Sequence, residues 1–131
     1  MRKKVEIDGN DGTGKSSLIA CMKTKASAFG VYDLEVCDRG QLTLATDSNL
    51  FEADPDTLYI ILDCQEEISQ QRIAGRGDSL EAPYHTMTDL KKYRKRFLEL
   101  ARTYRIVVFD TSDTGVEELS ERVLTYIKKN L

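Results

Sequence analysis

Hydrophobic positions along the chain repeat with two periods, and each change of period marks an element. Residues 5–8 alternate apolar and acidic side chains (Val5, Glu6, Ile7, Asp8), the spacing of a strand, and three glycines then fall within residues 9–14. Leu18, Ile19 and Met22 follow at helical spacing. A strand, a glycine loop and a helix over about 15–28 are therefore predicted, with Gly30 placed to end the helix in a left-handed cap. A second short strand, 34–37, ends at Asp38 and Arg39. Residues 40–56, with their Asn, Asp, Ser and Pro content, read as an irregular or partly helical stretch, a loop with one helical turn. Residues 57–62 form the most apolar and β-branched segment, the signature of a strand buried on both faces. A helix over about 66–74 is broken by Gly75, Gly77, Asp78 and Pro83, and Leu90, Tyr93, Phe97, Leu98 and Ala101 restore the helical period down to about 103. A strand at 106–109, an exit loop at 110–114 and a helix at 116–129 complete the chain.

Four short strands alternating with helices predict an α/β fold: a compact, doubly wound parallel sheet of about four strands, because parallel strands need crossovers and right-handed crossovers place helices on both faces. No repeat, low-complexity tract or linker interrupts the pattern, and 131 residues are read as one domain. Ligands are expected at the carboxyl ends of the strands, here Asp8-Gly9, Asp38-Arg39, Asp63 and Asp110-Thr111.

Composition narrows the chemistry. The three cysteines have no CxxC spacing and His85 is the sole histidine, so neither a disulfide framework nor a zinc cluster is expected. A reducing, cytoplasmic location follows as the expectation. The longest aliphatic and aromatic run, 58–62, is far below the ~20 residues that span a bilayer. The basic start Arg2, Lys3, Lys4 leads straight to Glu6 and Asp8, so no membrane span or secretory signal is expected. A net charge of −3 argues against coating nucleic acid by bulk attraction. Residues 89–105 nevertheless hold seven cations and two anions, a local +5 against −8 elsewhere. A solvated helix face accounts for this patch as readily as a nucleic-acid contact does.

Gly9-Asn10-Asp11-Gly12-Thr13-Gly14-Lys15-Ser16 fits GxxxxGK[ST] between a predicted strand and a predicted helix, the context that a phosphate-binding loop requires. Its glycines let backbone N–H groups turn toward phosphate oxygens, and the helix start adds unpaired donors. Lys15 is then expected to reach the β- and γ-phosphates and Ser16 to ligate Mg²⁺. No NKxD-type motif is present, which argues against a GTPase. Asp38 and Arg39 end the strand expected beside the first, and Arg72 and Arg76, four apart, share one helix face at the edge of a flap spanning about 75–88. Arginines so placed suit a lid that brings charge to phosphates while excluding water.

These residues, together with Ile7 to Ser17, Cys37-Asp38-Arg39, Leu62-Asp63 with Glu66 and Glu67, Gln71-Arg72-Ile73, Arg76-Gly77, the Tyr93 to Leu100 segment and Phe109-Asp110, resemble the ordered landmarks of thymidylate kinase-like P-loop kinases. The resemblance implies ATP and Mg²⁺ as cofactors, with the nucleotide held by residues 9–17, Ser17 included, and by Thr111 in the loop beside the adenine. It implies Lys15, Asp38, Arg39, Arg72 and Arg76 as the catalytic set. Ser16 and Asp38 are the expected metal ligands, and Asp38 the residue that orients or deprotonates the acceptor. Members acting on free nucleotides place a further strand and several helices before the Asp-Arg strand, a region almost missing here, so one wall of the acceptor pocket is expected to be absent. That shape resembles small phage kinases that phosphorylate 5-hydroxymethyluracil within DNA, and DNA carrying that base is the favoured partner. A flipped base would then be the acceptor, with residues 89–105 along the DNA backbone. The alternatives are a kinase of a free pyrimidine deoxynucleotide such as dTMP and a non-catalytic nucleotide-binding subunit.

Overall fold

The computed structural model describes residues 4–48 and 50–131. Strands β1 (Lys4–Asp8), β2 (Glu35–Asp38), β3 (Thr57–Asp63) and β4 (Val107–Asp110) form one parallel sheet in the order β2-β1-β3-β4. Register pairs Ile7 with Asp38 and Asp63 with Asp110, so the polar strand ends line up along one edge. From β1 the chain passes to β2 on one side and returns to β3 on the other, which places a switch point at the carboxyl end of β1. β3 is buried through its first six residues, as its sequence demands, whereas β2 and β4 are half-exposed sheet edges.

Two apolar layers cover the sheet. Helices α1 (Lys15–Lys25) and α5 (Val116–Asn130) pack on one face, where Leu18, Met22, Val123 and Ile127 meet Val5, Ile7, Ile60 and Leu62. A 3-10 turn, Ala26–Phe29, continues α1, and Gly30 (φ 73°) closes it in the left-handed cap that its position predicts. Helices α2 (Gln41–Ser48), α3 (Glu66–Gly75) and α4 (Met87–Tyr104) complete the fold. On the second face, Leu42 of α2 and Phe97 and Ala101 of α4 pack with Tyr59 and Ile61. Among the described residues no helix is long and apolar enough to cross a membrane.

One element departs from the expectation. The stretch predicted as irregular or partly helical, with one turn, contains a helix of eight residues, α2. Its N-terminus is capped from β1, whose second face carries Glu6 and Asp8 rather than apolar side chains. The Glu6 carboxylate accepts from the amides of Gln41 and Leu42 (3.0 and 3.1 Å), and Asp8 accepts from Gly40 and Thr43 (3.0 and 3.2 Å) and from the Thr43 hydroxyl. Both acids are almost fully buried and supply what the first helical turn lacks. No local capping signal announces α2, because its caps lie more than thirty residues upstream. Burial, with the Glu6 carboxyl beside it, raises the Asp8 pKa to about 7, and its second oxygen has no hydrogen-bond partner among the described residues. At the other boundary, α4 starts at Met87, inside the predicted flap, because Thr86 caps it by accepting from the Asp89 amide at 3.1 Å.

Candidate active site

The loop after β1 has a shape that only glycine allows at two points. Gly9 has φ 152°, and a Cβ there would lie 2.5 Å from the Leu62 carbonyl oxygen. A Cβ on Gly12 (φ 80°) would collide with the Ser69 carbonyl. Past Gly14, the first-turn amides of α1 at Lys15, Ser16 and Ser17 lack intrahelical acceptors and face an incoming anion together with the helix dipole. Lys15 is folded back into the loop, its Nζ donating to the carbonyls of Gly9 (2.6 Å) and Asn10 (2.8 Å). Burial lowers its pKa to about 8, against the pull of the Asp11 carboxylate.

Two cavities open at the carboxyl edge of the sheet. The larger, of about 660 Å³, is lined by residues 11–17, Asp38, Arg39, Arg72, Arg76 and Thr111, and runs on to Thr114, Val116 and Leu119. It therefore gathers all the sequence-predicted site residues except Gly9 and Asn10. Those two border a second cavity of about 210 Å³, walled by Thr43, Thr46 and Asp47 of α2, Tyr93 and Phe97 of α4, and Tyr84. Asp11 and Arg39 line both. Their ion pair stands on the boundary: Arg39 donates to one oxygen of Asp11, while His85 Nε2 lies 2.8 Å from the other. Arg39 adopts φ 52°, a left-handed conformation costly for a long side chain and usual at sites that need it.

Other predicted residues have roles that the sequence did not separate. The Asn10 amide donates to the Leu90 carbonyl (2.8 Å), fixing the loop to α4. Thr13 is buried and donates back to the Asn10 carbonyl, holding the turn. Arg72 ties three segments together: it donates to the Gly12 carbonyl at 3.2 Å, to the Cys64 sulfur at 3.5 Å, and to the Thr111 hydroxyl and carbonyl at 3.1 and 2.6 Å. Thr111 is itself anchored, its amide donating to the Asp63 carbonyl. Arg76 is half-exposed and pairs with Asp78 (3.1 Å) at the flap entrance. Asp38 lines the larger cavity with Lys15 and Ser16 and is absent from the wall of the smaller one.

The basic patch on α4 is smaller than its sequence count. Arg94 is committed to Asp63 and Glu66 (2.8 and 3.1 Å), which raises its pKa further. Arg96 donates to the Thr46 carbonyl and to Asp47. Lys91, Lys92 and Lys95 are exposed, with Lys92 Nζ 5.1 Å from the centre of the Tyr93 ring. Tyr93 donates to Asp47 (2.8 Å), and that bond pushes its pKa up to about 12. Its ring lies 5.2 Å from that of Tyr84, so two tyrosine rings border the smaller cavity alongside Phe97.

The residues fit the cation that the fold implies. Among the described residues no group of three or more His, Cys, Asp or Glu side chains forms a protein-only metal cage. The Ser16 hydroxyl and Asp38 carboxylate offer hard oxygen donors on the wall of the phosphate cavity, the set a Mg²⁺ ion uses when phosphates and water complete its shell.

Sequence reasoning missed helix α2 as a wall of the smaller cavity, for the capping reason given above. It also missed Asp11 as a boundary residue, although a signal existed: a carboxylate inside an anion-binding loop repels phosphate unless a cation neutralises it.

A strand, a glycine loop of this geometry and a helix, beside an Asp-Arg strand end, define a P-loop phosphotransferase fold. Residues 38–123 match the thymidylate kinase family, and the chain belongs to that family. The matched span begins at Asp38, so the phosphate loop is identified by its own sequence and shape. Solved structures agree on the fold. YorR from Bacillus subtilis, in complex with phosphorylated GDP, superposes with a TM-score of 0.70 at 9% identity, over 97% of this chain and 96% of its own. An uncharacterized protein from Eubacterium ventriosum gives 0.61 at 12% identity, over 98% and 99%. Deoxyadenosine kinase from M. mycoides, with dCMP and dCDP bound, gives 0.60 at 15% identity, over 96% and 99%. No curated protein matches the chain in sequence. The family makes the protein a kinase and a nucleotide phosphotransferase, and the non-catalytic reading falls with that assignment.

Proposed function

We propose that the protein transfers the γ-phosphoryl group of ATP to a pyrimidine deoxynucleotide seated in the smaller cavity. The observation that carries this reading is the pair of cavities meeting at Asp11 and Arg39, one built around a phosphate loop and the other bordered by two tyrosines. Phosphoryl transfer needs positioning and charge neutralisation more than covalent help. Lys15, the first-turn amides of α1 and Arg39 face the path of the phosphoryl group, and Arg76 stands at its outer rim. Mg²⁺ held by Ser16 and Asp38 would supply charge neutralisation on the phosphates. Asp38 then serves the metal rather than the acceptor, in keeping with its place on the larger cavity alone. Helix α2 supplies a wall that the sequence left missing, which favours an acceptor small enough to be enclosed.

A second acceptor is favoured by a separate observation. Exposed Lys91, Lys92 and Lys95 lie on the helix that carries Tyr93, so a polynucleotide could run along α4 with one base in the cavity. On that reading the acceptor is the hydroxymethyl group of 5-hydroxymethyluracil in DNA. Incubation with γ-labelled ATP and three acceptors (dTMP, thymine DNA and hydroxymethyluracil DNA) separates the two. Label on dTMP alone supports the enclosed acceptor, label on hydroxymethyluracil DNA alone supports the second reading, and label on none refutes both.

A further inference from the structure

His85, the only histidine, lies in the segment 76–86 between α3 and α4, where neither the family resemblance nor the phosphate loop gives it a task. Its side chain is half-enclosed between two oxygens. Nδ1 lies 3.0 Å from the Ser79 carbonyl, within the segment, and Nε2 lies 2.8 Å from Asp11 Oδ2, in the phosphate loop. The second bond is the segment's direct link to the boundary between the cavities, because the other oxygen of Asp11 holds Arg39. The neighbouring Tyr84 adopts φ 70°, a second left-handed bulky residue, with its amide donating to Asp89 (3.0 Å). Strain of this kind persists where surrounding contacts over-determine it. Here it turns the Tyr84 ring toward Tyr93 and the imidazole toward Asp11.

We propose that His85 is a positioning residue: seated on Asp11, it docks segment 76–86 over the junction of the two cavities and holds Arg39, through the shared carboxylate, in line with the phosphoryl path. The proposal rests on the transfer function argued above, and its consequence is directional. Docking the segment and ordering Arg39 become one event, so an acceptor enclosed by Tyr84 meets a cation already in place. Lifting the segment releases Asp11, and with it the arginine.

The test compares His85→Leu, which keeps bulk and removes both ring nitrogens, with His85→Gln, which can reach Asp11 but has no second nitrogen for Ser79. Two readouts are measured: amide hydrogen exchange over 76–86, which needs no acceptor, and the steady-state constants. A hydrogen bond to a charged group corresponds to a factor of roughly ten or more, so His85→Leu should speed exchange of 76–86 about tenfold. It should lower kcat by a similar factor while leaving the KM for ATP within about twofold, and His85→Gln should recover most of both losses. In an Asp11→Ala background, His85→Leu should cost little more, since the two residues act as a pair. Unchanged exchange in His85→Leu overturns the docking claim. Faster exchange with kcat unchanged overturns the positioning claim. A rise in exchange that extends to α5, or a glutamine variant as poor as leucine, reduces His85 to packing and also overturns it. If no acceptor is ever phosphorylated while exchange responds as expected, the transfer reading fails and the docking contact stands.

Discussion

Lys15 concentrates the electrostatics of the site in one side chain. Its ammonium is buried against two carbonyls, and burial lowers its pKa from 10.5 to about 8. Nucleotide phosphates would favour the charged form, so binding should draw a proton onto the lysine above that pH. Free enzyme loses the charge as pH rises through about 8, so the KM for ATP should climb across roughly pH 8–9.5. A flat profile would contradict the assignment. Lys15→Ala should remove the pH dependence and reduce transfer on the order of a hundred- to a thousand-fold, the usual effect of deleting one preorganised donor. Much of this was legible at the residue scale, since GxxxxGK[ST] between a strand and a helix names Lys15 and Ser16 without a structure. The tasks of Asp11 and His85 were not legible, because each depends on a partner 28 or 74 positions away.

Helix α2 shows what the element scale adds. Its own residues give a weak signal, and the acids that cap it sit on β1, where apolar and acidic side chains alternate. Both faces are buried, and the acids are the α2 caps. Asp8 is raised to about 7 from 3.8, so its contribution to stability is fully present below about pH 4 and is lost as pH rises through about 7. Asp8→Asn, which keeps an acceptor for Gly40 and Thr43 and cannot ionise, should remove that loss. Between pH 5 and 8 the wild-type melting temperature should fall relative to the variant by about 4 °C or more, corresponding to roughly 1 kcal/mol in a domain of this size. Parallel profiles would show that Asp8 is ionised throughout. Arg72 is the second element-scale device, since it joins the phosphate loop to the ends of β3 and β4. Arg72→Lys keeps the charge but not the planar fork, so it should raise the KM for ATP severalfold and cost about 1.5–3 kcal/mol in stability. Equal behaviour of lysine and arginine in chemical denaturation would argue that charge alone matters.

On the scale of the whole molecule, the sheet order and the line of polar strand ends follow from the sequence, because four parallel strands and short crossovers leave few topologies. Less legible was how much of the basic segment faces inward. Seven cations between 89 and 105 suggest a nucleic-acid track, yet Arg94 is held by the half-buried Asp63 and Glu66, and Arg96 pairs with Asp47 at the surface. Composition counts charges without their partners, and these partners come from β3, α3 and α2. Neutralising Lys91, Lys92 and Lys95 therefore tests the DNA reading without disturbing those ion pairs. The KM for DNA should rise and its salt slope flatten if a backbone lies there, while the KM for ATP stays unchanged. Whether the two cavities meeting at Asp11 and Arg39 are donor and acceptor sites of one kinase is tested more directly by label transfer. Wild-type protein and Lys15→Ala are incubated with γ-labelled ATP, Mg²⁺ and the three acceptors, and label is followed to the acceptor. Label is expected on a pyrimidine acceptor with the wild type, with a loss on the order of a hundredfold or more with the variant; wild-type protein that labels none of the three, or a variant that labels one equally fast, would contradict the pairing of the two cavities.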